Sequence, residues 1–242
     1  MSTPPESLGA LAAAPRPTSV ALVIERMSAI EDALAPQHGV AVFTRLYRWT
    51  TEQVDAAIDV GRFERLDEMA ALDVEFADLY FDAVDAWATG EPIPAAWRPL
   101  FDRADDPDIP ATAFALAGMH AHINRDLAVA LVRTAEEPLV DDSDRFRDYE
   151  AINEVLAQTS DQIRDRILPP ALVGVDAAMG EVDDAMVMRA ISTARRAAWE
   201  VAQRLQAVSF FPPALEAAVA VLDTSVGATS RAILDPGGVI GA

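Results

Sequence analysis

Apolar residues recur at helical spacing along most of this chain, and prolines and glycines punctuate them. From Thr18 to Ala35, Val20, Val23, Ile24, Met27, Ile30 and Leu34 keep one face apolar, and Pro36 ends the run, which predicts a first helix. Val40, Val42, Phe43, Leu46 and Tyr47 begin a second. Thr50 with Gln53 reads as a capping box that restarts it through Ile58 to Val60, with Gly61 as its stop. The third, from Arg62 to Ala88, has the strictest period: Phe63, Leu66, Ala70, Asp73, Ala77, Tyr80, Val84 and Trp87. A central helix is predicted over Ala111–Arg133, and further helices over Asp144–Leu168, Asp183–Val208 and Pro213–Leu234, with Pro169/Pro170 and Pro212/Pro213 as stops. Gly90–Pro99, Asp105–Pro110 and Glu136–Asp144 read as connectors. Nothing alternates with the period of a strand. The expectation is an all-α, single-domain bundle of seven or eight helices around a central buried helix, spanning 18–234, with a flexible tail at 1–17 and another at 235–242.

Two of these helices carry polar groups where the pattern calls for apolar ones. Asp73 lies inside the stripe of the third helix, where an unpaired charge costs several kcal/mol, so it needs a partner or a raised pKa. In the central helix, Met119, His122, Asp126 and Val129 share one face, and Leu116, His120, Ile123, Leu127 and Leu131 share another. A helix apolar on nearly every side is packed on every side, so its His, Asn and Asp must find partners indoors.

Composition narrows the chemistry. The 242 residues include no cysteine, which excludes disulfides, thiolate metal sites and thiol nucleophiles. All 19 basic residues are arginine, which excludes Schiff-base lysines and a P-loop lysine. A formal net charge of −20 with no basic patch argues against nucleic-acid or anionic-membrane partners. No uncharged apolar run reaches membrane-spanning length, and Met1–Pro17 lacks the basic start of a signal peptide, so a cytoplasmic location is expected. The long apolar helices leave room for a homodimer face.

Several chemistries compete for the central cluster. The leading one is acid–base work on a small organic substrate without a cofactor. In it His122 is the general acid or base, Asp126 orients it, Asn124 or Tyr80 donates hydrogen bonds to substrate, and Asp73 is a buried acid. Lyase, isomerase or cyclase reactions fit this set better than hydrolysis, since no Ser-His-Asp elbow is present. A metal is not favoured: His120 and His122 point about 200° apart on a helix and cannot share an ion. If one bound, His122, Asp126, Asp73 and Asp78 would hold it. A non-catalytic alternative makes the same residues a buried network that fixes helix register in a binding or assembly protein. A third reading places magnesium and a prenyl diphosphate on Asp78/Asp82 and Asp141/Asp142/Asp144, although neither cluster has the full spacing of a terpene-synthase pair.

Four segments carry a resemblance: Phe114-Ala-Leu-Ala-Gly-Met-His-Ala-His-Ile-Asn-Arg-Asp-Leu127, Phe43-Thr-Arg-Leu-Tyr47, Leu72-Asp-Val-Glu-Phe-Ala-Asp-Leu-Tyr-Phe81 and Arg195-Arg-Ala-Ala-Trp199. They are similar to those of a bacterial family called domain of unknown function 5995. The resemblance spans nearly the whole chain and implies fold and position of the site rather than an activity. It implies that His122, Asn124 and Asp126 are the constant core of the motif, and that His120 stands where the family more usually has asparagine.

Overall fold

The computed structural model describes residues 4–158 and 184–235. Their regular structure is entirely helical: α1 Glu6–Ala12, α2 Val20–Asp32, α3 Gly39–Asp59, α4 Leu66–Thr89, α5 Arg98–Arg103, α6 Ala111–Ala121, a π-helical turn His122–Asp126, α7 Leu127–Arg133, α8 Ser143–Gln158, α9 Asp184–Val208 and α10 Pro212–Leu234. The all-α, single-domain expectation holds. The described part of the predicted 144–168 helix ends at Gln158. Its remainder, the Pro169/Pro170 stop and the tail beyond Asp235 lie outside the described residues.

Local chemistry explains where the helices begin and end. Ser19 caps α2 by accepting from the Leu22 amide at 3.3 Å, and the His38 ring does the same for Val40 at the start of α3. The amides of Glu64 and Arg65, ahead of α4, donate to the Asp148 carboxylate of α8 at 3.0 and 2.8 Å, so a distant acid supplies the cap. Gly90, with φ 77°, closes α4 in the left-handed conformation that favours glycine.

Three expectations need correction. The N-terminal segment is not a loose tail: α1 packs on α4 with Leu8 fully buried, and Arg16 bridges to Asp78, Asp82 and Asp85. Helix α3 does not restart at Thr50. Its hydroxyl donates back to the Leu46 carbonyl, as a threonine inside a continuous helix can. The central helix is not covered all round, since Leu116 is half exposed, and it widens into a π turn that a uniform 3.6-residue period does not express.

Two apolar clusters make the core. One gathers residues of α1–α6 with Val226 and Leu234 of α10, and has Phe43, Tyr47, Tyr80, Trp97 and Ala121 among its members; the other joins Val54 and Ala57 of α3 and Met69, Leu72 and Leu79 of α4 to α7, α8 and α9 around Leu127–Leu131, Tyr149 and Trp199. Phe76 and Leu222 pack against both. The π turn joins Ala121 of the first cluster to Leu127 of the second, so the polar residues sit at the waist of the molecule. Helix α10 crosses this waist against α5, α6 and the turn. By length and apolar composition α10 falls within the range of a membrane-crossing helix, yet Asp223 within it accepts from the Ala95 and Ala96 amides at 2.7 and 3.1 Å, fastening it to the connector before α5.

Candidate active site

The π turn presents His122 and Asp126 to the first core cluster, both buried. His122 Nδ1 lies 3.1 Å from Asp126 Oδ2, and Trp97 Nε1 donates to the same oxygen at 2.9 Å. Arg125 donates to the other oxygen, Oδ1, at 2.6 Å. A carboxylate filled by donors in this way only accepts, so Nδ1 carries the imidazole proton and Nε2 holds the lone pair. Nε2 is buried and has no hydrogen-bond partner among the described residues.

Five rings surround that imidazole. Phe76 stacks on it in parallel with centroids 3.5 Å apart, Tyr47 meets it edge-on at 4.2 Å, and Phe43, Trp97 and Tyr80 stand at 5.7, 5.9 and 6.2 Å. Gly118 makes this approach possible, because a Cβ there would collide with the Phe43 ring. Burial lowers the His122 pKa below the ordinary histidine value. Asp126 opposes the shift through its hydrogen bond and charge, and Arg125 adds to it. The ring is therefore neutral at physiological pH. Burial also opposes the charge on Arg125, but Asp126 and Asp223 outweigh it and raise its pKa.

Asp73 projects from α4 one turn before Phe76. It is nearly buried, its Oδ2 has no partner, and burial first, then the charge of Asp55, pushes its pKa up to about 7. The Tyr47 hydroxyl and Thr51 Oγ1 lie one turn apart on α3, close enough for the threonine hydroxyl to oppose the rise in the tyrosine pKa. Tyr47 is raised well above the usual tyrosine value, chiefly by burial and then by the charges of Asp73 and Asp126.

Of the residues expected at the site, the structure joins His122 directly to Asp126 and sets Asp73 beside their aromatic wall. The others go elsewhere. Tyr80 contributes a ring, but its hydroxyl pairs with Thr44 Oγ1 at 2.6 Å and is turned away from His122. Asn124 donates to the His120 carbonyl at 3.0 Å and lies 3.1 Å from His120 Nδ1, a separate pair alongside the dyad; burial lowers the His120 pKa, opposed by the Val226 backbone. The conditional metal set is not assembled, because Asp78 is ion-paired to Arg16 and both Asp126 oxygens are occupied. Among the described residues no group of three or more histidines and carboxylates is arranged to hold a metal. Asp82 also accepts from Arg16, and Asp142 accepts from Arg65 and the Arg145 amide, so these acids are already engaged within the fold.

Sequence reasoning missed Trp97, Arg125, Tyr47 and Thr51 as parts of the centre. Arg125 stood next to Asp126 in the motif, and Tyr47 and Thr51 are four residues apart; nothing in the sequence pointed the Trp97 indole at Asp126. Surface clefts flank this region of the described residues. One, of about 380 Å³, lies between the 136–140 connector and α9. Another, of about 320 Å³, is walled by α7, α9 and α10 and reaches Arg125, whose guanidinium separates it from Asp126.

No curated protein and no solved structure matches this chain significantly. A family model does, over residues 20–236, and the chain therefore belongs to the family described as a family of unknown function, DUF5995.

Proposed function

We propose that the His122–Asp126 pair is the proton-transfer centre of an enzyme acting on a small, largely apolar organic molecule by lyase, isomerase or cyclase chemistry. One observation carries this reading: an imidazole held at Nδ1 by a buried carboxylate keeps its second nitrogen buried, unprotonated and without a hydrogen-bond partner among the described residues. Asp126 fixes the tautomer and stabilises the imidazolium formed when Nε2 takes a proton. Trp97 and Arg125 hold that carboxylate in place. Asp73, poised near pH 7, supplies a carboxylic acid close to the same wall. The aromatic surround favours a flat or apolar substrate body, and a cleft open to solvent reaches Arg125, which is bonded to Asp126.

A second reading has its own support. His122 stacks tightly on Phe76, and neither cleft is lined by His122 itself, which suits a network that only locks α3, α4 and the π turn together. The experiment that decides is to incubate wild-type protein, His122→Gln and Asp126→Asn with a metabolite extract and follow every species by mass spectrometry, with circular dichroism confirming the fold. Conversion by the wild type that falls by about 10²–10⁴-fold in His122→Gln supports catalysis. No conversion by the wild type, with His122→Gln altering only the unfolding midpoint, leaves the structural reading.

A further inference from the structure

We infer that Tyr47, Thr51, Asp55 and Asp59 of α3, together with Asp73 of α4, form a proton path joining His122 Nε2 to solvent at the C-terminal end of α3. Such a path rests on the acid–base reading of His122 and adds how its proton is exchanged with water.

The four α3 residues are spaced by four, so they follow one edge of the helix with a slow drift. Along that edge burial falls steadily: Tyr47 and Thr51 are buried, Asp55 is partly covered and Asp59 is exposed. At the buried end, four polar atoms from three elements have no hydrogen bond of full geometry among the described residues: Tyr47 Oη, Thr51 Oγ1, Asp73 Oδ2 and His122 Nε2. Leaving one such atom buried costs about 1–3 kcal/mol, so four together are a large penalty for a region with no other task. The exposed end is also locally unfavourable. Asp55 and Asp59 stand at the negative pole of α3, whose last turn has no basic residue. Burial, then Asp59, raises the Asp55 pKa, and Asp55 in turn helps to raise that of Asp73. The charged groups nearest His122 on its other side are Asp126 and Arg125, already bonded to each other. Phe76 closes the ring face, and the Tyr80 hydroxyl is taken up by Thr44.

The chemistry suits these groups in this order. A proton on Nε2 passes to the Tyr47 oxygen as Tyr47 gives its own to Thr51. Thr51 in turn gives its proton to the Asp73 carboxylate, and Asp73 releases one to Asp55 and bulk water. Each hydroxyl ends with the proton count it began with, and the net change is one proton moved from imidazolium to solvent.

The test needs no substrate. The chain has three histidines, so ring-¹⁵N labelling of the whole protein gives resolvable signals, and ring exchange, the gain and loss of a proton at His122 Nε2, is measured by ring-¹⁵N relaxation dispersion near the midpoint of its titration in the wild type, Thr51→Val and Asp73→Asn. Valine has the shape of threonine and replaces a hydroxyl without a partner, so the fold is retained. The expected result is about tenfold slower ring exchange in both variants, equivalent to ~1.4 kcal/mol of added barrier, with unchanged backbone amide exchange along α3 and α4. Equal ring exchange in all three proteins overturns the path. So does ring exchange that keeps pace with the backbone amides, because the proton then leaves by local opening. Turnover in His122→Gln tests the catalytic reading separately, so the two ideas can fail independently.

Discussion

At the scale of single residues, Asp73 shows what a misplaced carboxyl does to stability. Its folded pKa, about 7, stands above the ordinary aspartate value of 3.8, so the folded protein holds this proton more tightly than the unfolded chain. Its contribution is fully present below pH 3.8, declines as pH rises, and is lost once pH passes 7. The shift corresponds to about 4 kcal/mol at most, of which relaxation and water penetration leave a part. Asparagine keeps the shape and cannot ionise. The difference in urea-unfolding free energy between Asp73→Asn and wild type should therefore grow in favour of the variant from about pH 4 to about pH 7 and level off above. Taking the difference cancels carboxylates common to both proteins. A difference that stays constant across this range would mean that Asp73 is ionised in the fold at neutral pH.

At the scale of elements, the helices were legible because their apolar faces are long and period-true, and the π turn was not, because it appears as one extra residue within an otherwise regular helix. Such a turn rotates the downstream helix by roughly 100° about its axis. The i, i+4 spacing of His122 and Asp126 was enough to pair them in advance, while the partners that complete the pair come from chain neighbours or from far away: Arg125 beside Asp126, Trp97 on a proline connector, Tyr47 on α3. Long-range meetings of that kind leave no periodic trace. α1 escaped notice because a seven-residue helix between prolines is too short to show a period, although Leu8 is fully buried. Gly118 tests how closely α6 must approach α3. Glycine to alanine inside a helix ordinarily gains about 1 kcal/mol of propensity. Here the new methyl meets the ring of Phe43, itself buried and wedged among Tyr47, Tyr80 and Trp97, so overpacking of about 1–3 kcal/mol should win. Gly118→Ala is expected to lower the chemical-denaturation midpoint, and adding Phe43→Leu should recover part of the loss; a midpoint equal to or above wild type would show that α6 has room to spare.

At the scale of the whole molecule, charge sets a different kind of constraint. Thirty-nine acidic residues face 19 arginines, so 20 carboxylates remain without a cationic partner even if every arginine takes one acid. Several acids crowd together, as Asp55 does with Asp59 and Asp73, and this self-repulsion opposes the compact state. Ion pairs pull the other way, but many are exposed, such as Arg147–Glu64 and Arg204–Glu200, and exposed pairs contribute about 0–1 kcal/mol each. The pairs that matter most, Arg125–Asp126 and Arg26–Asp85, are largely sheltered from solvent, where salt screens weakly. Added salt therefore relieves more repulsion than attraction. The thermal unfolding midpoint should rise as sodium chloride increases from about 0.02 to about 0.5 M, most steeply at the low end where the screening length falls fastest. A fall over the same range would mean that the surface ion pairs act as a cooperative network strong enough to outweigh the excess acid, and Arg16, which holds Asp78, Asp82 and Asp85 across the N-terminal segment, would be the first place to look for it.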